Sequence, residues 1–239
     1  MNYVLDIHTH SIVSGHAYST IQEMICAAKE KGLQLLGISE HAPAMPGTCN
    51  EIYFQNLNII PDKIDNIELL FGIEANILNP QGELDISSKT LKYLHYGIAS
   101  LHNPCMTPGS KQENTLAYLH TMENCYINVI GHPDDSRFAV DYKQLVRQAK
   151  ETGTLLEVNN TSLSPTSFRQ NSHENYKEML DLCAKEEVPI ILNSDAHISY
   201  DVGNFTYADS LLKEIQFPKE LIANTSVEKF KRLLQRKVR

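Results

Sequence analysis

Six short apolar runs in this chain end at an imidazole or a carboxylate. They are VLDI before His8, LLGIS before Glu40-His41, LLFGI before Glu74, GIASL before His102, NVIG before His132 and IILNS before Asp195. Seven of the ten histidines (His8, His10, His16, His41, His102, His132 and His197) lie at or just beyond these ends, together with Glu74 and Asp195. One such run carries little information. Six of them, with helical patterns between, limit the fold to a barrel or open α/β sheet, in which working residues collect at the carboxyl ends of the strands. Imidazoles and carboxylates gathered in one place are what a cluster of zinc-like ions needs. The pattern reads as a multinuclear metallohydrolase.

The runs rich in Leu, Ile and Val predict strands near residues 3–8, 35–40, 68–74, 96–101, 127–131, 154–159 and 189–193, each covered on both faces. Between several of them lie helical patterns. One opens at Ser19-Thr20 and stops at Gly32; others span about 112–124, 141–153 (stopping at Gly153), 174–186, 204–215 and 226–237. Seven strands with intervening helices match a distorted, TIM-like (β/α)7 barrel, one strand short of the usual eight, although periodicity alone does not separate a barrel from an open sheet. The 239 residues show no break that argues for two domains, so residues 1–239 read as a single unit. The Pro- and Gly-containing stretch 42–66 follows a ligand-bearing strand end and is expected to form a lid or specificity loop.

A net charge of −8 disfavours a sequence-independent grip on nucleic acid, which depends on a basic footprint. The five cysteines are scattered, without a C-x-x-C pair, and read as reduced thiols. Neither a leader-like start nor a membrane span is visible, so a cytoplasmic protein is expected.

In a strand, alternate residues point the same way, so D-I-H-T-H should present His8 and His10 to one side, able to share a metal at Zn–N distances of about 2.0–2.1 Å. Asp195 and His197, in N-S-D-A-H, repeat the arrangement after the last strand. The apolar run before Glu74 points to a buried carboxylate, which must be paired or metal-bound. His102 and His132 each precede a proline turn, and His16 sits in the S-I-V-S-G-H-A loop. His95, His120 and His173 read as surface or supporting histidines.

The ordered set D-I-H-T-H, S-G-H-A-Y-S-T, G-I-S-E-H-A-P, G-I-E-A-N-I, S-L-H-N-P, I-G-H-P, E-V-N-N-T-S and N-S-D-A-H resembles the PHP (polymerase and histidinol phosphatase) superfamily, within it the YcdX-type phosphatases. The likeness covers nearly the whole chain. It implies a distorted seven-stranded barrel with three divalent metal ions at its C-terminal face. His8, His10, Glu74 and Asp195 would surround one ion. Glu74 would bridge to a second, held by His102 and His132, while His16, His41 and His197 would hold the third. Zinc is the first expectation from so many histidines, with manganese or iron as alternatives. Three departures stand out: Ser39-Glu40 where relatives have Thr-Asp, Asn193-Ser194 where Gly-Ser is common, and a longer 161–172 segment.

The expected reaction is hydrolysis of a small phosphate monoester by a metal-bridging hydroxide, with Glu74, Asp195 and His197 carrying the chemistry and Asp195 or a metal-bound water protonating the leaving alkoxide. Arg169, Lys111, Asn160 and Ser162 are the candidates to orient the phosphate, Arg169 foremost because a guanidinium clamps phosphate in a bidentate way. The alternatives are hydrolysis of another bond, a phosphodiester or an amide, or a non-catalytic metal-binding module.

Overall fold

The computed structural model describes residues 1–235. Seven parallel strands run in chain order around the sheet: β1 (Leu5–Asp6), β2 (Leu35–Ile38), β4 (Ile67–Asn76), β5 (Tyr96–Ser100), β6 (Val129–Ile130), β7 (Leu155–Asn159) and β8 (Ile190–Asn193). A short β3 (Lys63–Ile64) adds antiparallel to the start of β4. Eight α-helices surround or connect them: α1 (Ile21–Glu30), α2 (Glu51–Gln55), α3 (Ser88–Leu91), α4 (Lys111–Met122), α5 (Tyr142–Thr152), α6 (Ser172–Glu186), α7 (Thr206–Glu214) and α8 (Val227–Gln235). This is a nearly closed TIM-like barrel. The seven predicted strands and six predicted helices are present, the last over Val227–Gln235, with the expected end at 236–237 outside the described residues; the short elements α2, α3 and β3 carry too few residues for a periodic signal.

Local chemistry explains the punctuation. Thr20 and Ser110 form capping boxes with Glu23 and Glu113, satisfying orphan N–H groups at the starts of α1 and α4. Gly153 ends α5 with φ 71°, a left-handed conformation that glycine adopts without steric cost. The 42–66 stretch is more ordered than a plain lid, since it contains α2 and β3.

Outward strand residues such as Leu36, Ile38, Ile73 and Leu192 pack with the helices in one large buried cluster. A second cluster fills the barrel from below. Leu5, Ile7, Leu35, Tyr96, Ile98, Val129, Leu155 and Ile191 meet Val227, Phe230 and Leu233 of α8, so the last helix closes the bottom. Tyr96 spans this interior: its hydroxyl donates to the Ile7 carbonyl at 2.6 Å, and a Cβ on Gly72 would fall 2.5 Å from its ring. The lower barrel interior is therefore filled by side chains, and a cavity opens at the carboxyl ends of the strands.

β1 and β8 do not form a ladder with each other. Their seam is closed by side chains instead. Asn224 donates Nδ2 to the carbonyls of Leu5 (2.9 Å) and Leu192 (2.7 Å) and accepts from the Leu192 amide at 2.8 Å. Above it, the Ile7 amide donates to Asn193 Oδ1, and Asp6 accepts from the Ser194 amide and hydroxyl. At the rim, Thr9 bridges to Ala196. Replacing Asn224 by Ala should lower the unfolding free energy by roughly 3 kcal/mol, since it strands several buried polar groups. Urea unfolding checks this, and a loss below about 1 kcal/mol would mean the seam is held elsewhere.

Candidate metal centre

Strand β4 carries the hub. Glu74 is fully buried, and its two carboxylate oxygens are ringed by imidazole nitrogens. Oε1 faces His8 Nε2 (3.3 Å), His102 Nε2 (3.3 Å) and His132 Nε2 (2.9 Å). Oε2 faces His10 Nε2 (3.5 Å) and His41 Nδ1 (2.7 Å). β2 delivers His41 by a backbone bridge beside Glu74. Asp195 Oδ1 lies 3.6 Å from His8 Nε2 and 3.4 Å from His10 Nε2. His197 Nε2 and His16 Nε2 approach to 3.1 Å at the exposed edge of the group. All nine residues singled out as ligands converge on this place. β1 is shorter than the sequence suggests: it ends at Asp6, and His8 and His10 follow it on either side of the Thr9 bridge.

The hydrogen bonds behind the ring show which nitrogens are free. His8 Nδ1 is 2.6 Å from Glu157 Oε1, an acceptor, so Nδ1 carries a proton and Nε2 is the nitrogen turned to the centre. His102 Nδ1 is 2.7 Å from Asn76 Oδ1, whose amide nitrogen is spent on Ala42 and Asp85. His197 Nδ1 donates to the Asp195 carbonyl at 2.9 Å. Ser14 Oγ gives its proton to Glu40, which leaves it accepting from His10 Nδ1 at 3.1 Å. His10, His102 and His197, whose pKa values are lowered, thus present an unprotonated Nε2 to the centre. Several atoms there, His8 Nε2, His10 Nε2, both ring nitrogens of His41 and Glu74 Oε2, are buried without a hydrogen-bond partner. Buried polar atoms are otherwise almost always satisfied. Lone-pair nitrogens and carboxylates aimed at a common space fit divalent cations.

Electrostatics divides the ring: against its burial, the carboxylates of Glu157, Glu74 and Asp195 hold His8 well above the ordinary imidazole value, so this ring is charged without a cation in the centre. Burial, reinforced by the neighbouring His41 and His197, holds His10 well below its ordinary pKa and brings His16 to about 4. Burial also lowers His102 and His197. Burial works against charge on Glu74 and Asp195, but the imidazoles around them, with Arg169 beside Asp195, outweigh it and keep both carboxyls well below the usual range. Four subsets have their ligand atoms close enough to share one ion: His8 with His10 and Glu74, His8 with His132 and Asp195, His41 with Glu74 and His102, and His10 with His41 and His197.

Two of the residues pay a conformational cost. His132 has φ 28° and Asp195 φ 57°, a region that side-chain-bearing residues avoid. Such backbone persists where surrounding structure imposes it, commonly at functional sites. For His132 the constraint is visible: its amide donates to Glu157 Oε2 at 2.7 Å.

A cavity of about 740 Å³ opens above the ligands, lined by His16, His41, Glu74, His102, His132, Asp195 and His197 and by Arg169, Arg137 and Phe168. Arg169 is nearly enclosed (side chain 7 % exposed) and binds Asp195 Oδ2 at 3.3 Å and Ser162 Oγ at 3.0 Å. Ser162 lies behind it, tied to Asp134. The other two phosphate candidates are placed elsewhere. Lys111 is exposed at the first turn of α4, outside the cavity lining. Asn160 Oδ1 is spent capping α7, accepting from the amides of Tyr207 and Ala208. His95, His120 and His173 are exposed.

Sequence reasoning missed Glu157 and Asn159. Glu157 is fully buried on β7 and accepts from His8, Asn193, the His132 amide and Asn159. Its one signal was a carboxylate inside the run LLEVN, which would have to be paired. Two of the family departures lie directly behind ligands: Glu40 supports Ser14, and Asn193 Nδ2 holds Glu157 Oε1 at 2.8 Å.

A barrel of this kind, with a buried His–carboxylate cluster at its strand ends, defines a class of metal-competent α/β proteins. The PHP domain model matches residues 6–163, and the chain belongs to that family. It is 44 % identical over 237 residues to a probable phosphatase of Clostridium acetobutylicum, covering 99 % of this chain and 96 % of the relative. A probable phosphatase of Caldanaerobacter subterraneus is 42 % identical over 238 residues, with 99 % and 93 % covered. Among solved structures, histidinol phosphate phosphatase from Lactococcus lactis, complexed with zinc, L-histidinol and phosphate, superposes with a TM-score of 0.63 at 19 % identity, covering 90 % of this chain and 95 % of that one. A chain of archaeal ribonuclease P matches with a TM-score of 0.58 at 16 % identity, covering 98 % of this chain and 90 % of that one. Those two likenesses speak to fold.

Substituting Glu157 by Gln removes the charge that fixes the His8 proton on Nδ1. Metal affinity should fall about 10- to 100-fold in a competition titration with a chelating indicator. Unchanged affinity would show that His8 needs no such partner.

Proposed function

We propose that this protein is a metal-dependent phosphatase that hydrolyses small phosphate monoesters. The observation that carries the reading is Glu74, a single buried carboxylate with five imidazole nitrogens within 3.5 Å. The names of the curated relatives and the ligands of the Lactococcus neighbour supply the direction, toward phosphate.

In this reading His8, His10, Glu74 and Asp195 hold one divalent ion, Glu74 with His102 and His132 a second, and His16, His41 and His197 a third. The ions would be zinc, with manganese or iron as alternatives for such a donor set. Bound there, they would neutralise phosphate charge and make a water nucleophilic near neutral pH. The protein's own contribution is position. Arg169, at the cavity wall beside Asp195, would clamp phosphate oxygens, and Ser162, Asn159 and Asp195 fix its guanidinium. Water attacks phosphorus, the ester P–O bond breaks, and the proton of the water passes to the leaving oxygen, giving an alcohol and inorganic phosphate. Asp195 is held ionised, so it would act in that transfer by first accepting the proton and then releasing it. The lower barrel below Glu74 is packed with side chains, which would keep the reacting groups away from bulk water on that side.

Turnover of p-nitrophenyl phosphate should be lost on chelation and return when a divalent metal is added back. Arg169→Ala should lower kcat/KM by about 100-fold while metal content stays that of the wild type. Unchanged kinetics in that variant would remove Arg169 from the reaction. An inactive, fully metallated wild type would instead shift weight to another hydrolysed bond.

A further inference from the structure

Phe168 is 69 % exposed, an unusual state for a phenyl ring, yet it is not loose. Its ring lies under two guanidinium groups, with Arg137 Cζ 5.0 Å and Arg169 Cζ 5.4 Å from the centroid, within cation–π range. Both arginines are pinned from behind. Arg137 donates Nε and Nη2 to Asp135 Oδ2, and Arg169 is held by Asp195 and Ser162. The Phe168 ring is thus a buttressed surface, and it lines the same cavity as the ligand cluster. Arg169 joins the two regions, since one guanidinium touches both Asp195 and the ring.

The remaining walls and charges narrow what can lie there. Met45 and Pro46 from the 42–66 stretch, with Leu101 and Pro104 after β5, give the cavity an apolar side. Its two arginines are each matched by a carboxylate, and Asp201 adds a further acid without an ion pair among the described residues. Among the described residues, no spare cation lines the lip for a second anionic group. At about 740 Å³ the space exceeds what a phosphoryl group needs and is in the range of a small organic ligand.

We infer that Phe168 is a specificity-determining residue, the platform on which an uncharged aromatic leaving group of the phosphate monoester stacks, while the phosphoryl group lies at Arg169 and the metal ligands. This rests on the phosphatase reading above. It places the preferred substrates among aryl or aryl-bearing monophosphates and disfavours sugar bisphosphates and other polyanions. Stacking adds binding that an alkyl group does not receive.

The test compares phenyl phosphate with glycerol 2-phosphate on wild type, Phe168→Ala and Phe168→Tyr. Comparing each variant with wild type on the same ester cancels the intrinsic reactivity of the leaving group. Phe168→Ala should raise KM for phenyl phosphate about 3- to 10-fold and leave glycerol 2-phosphate within 2-fold, with inhibition by inorganic phosphate unchanged; Phe168→Tyr should behave as wild type. Equal effects on both esters, or none on either, would overturn the assignment. Calorimetric binding of phenylphosphonate and methylphosphonate to the metal-loaded protein needs no turnover and separates the two readings. If wild type hydrolyses neither ester, the phosphatase reading fails. The platform then stands only if phenylphosphonate binds more tightly than methylphosphonate and loses that advantage in Phe168→Ala.

Discussion

Everything at the open end of this barrel is organised around the cost of burying Glu74. A carboxylate sealed from water is strongly destabilised unless positive charge or donors surround it. Here its neighbours are five imidazoles; His10 and His102 are turned so that their lone pairs, not their protons, face inward, and His8 is held charged by the carboxylates around it. Neutral imidazoles of that tautomer cannot satisfy a carboxylate by donating to it. Without a cation, His8 and His132 attend Glu74 Oε1 while His10 Nε2, both nitrogens of His41 and Glu74 Oε2 are buried without a hydrogen-bond partner; with one, the arrangement is a coordination site. The fold supports such a group because the lower barrel, plugged by Tyr96 and Phe230, is rigid enough to hold it.

The same logic extends one layer back. Glu157, Asn76 and the Ser14–Glu40 pair each take the proton from the far side of a ring and so determine what its near side offers. These groups come from different strands and loops, so the barrel must close before the tautomers are set. The seam between β1 and β8 matters for this reason. Asn193 joins Ile7 to Glu157 across it, linking barrel closure to the orientation of His8.

Much of this was legible in the sequence, for identifiable reasons. The strands are long enough in apolar residues to stand out, and a ligand-type residue at a run's end has a fixed meaning in a parallel barrel. Glycine and hydroxyl caps marked helix ends such as Gly153 and Thr20. What was hidden depends on contacts between distant positions. Glu157 meets His8 across 149 residues, and nothing in LLEVN names its partner. Asn160 looked available for phosphate but is committed to the start of α7, 47 residues onward. Lys111 follows a strand end by enough residues that the chain has already turned into α4. The apparent strand through His10 ends at Asp6 because the chain there crosses the seam toward Ala196.

The most direct test of the account is the metal content of the purified protein, measured by elemental analysis after loading and desalting. Nine convergent ligands should retain about three divalent ions per chain, released only by a strong chelator. Protein that stays metal-free after loading, while folded and monodisperse, would mean that the imidazoles around Glu74 satisfy one another and that the centre is not a metal site.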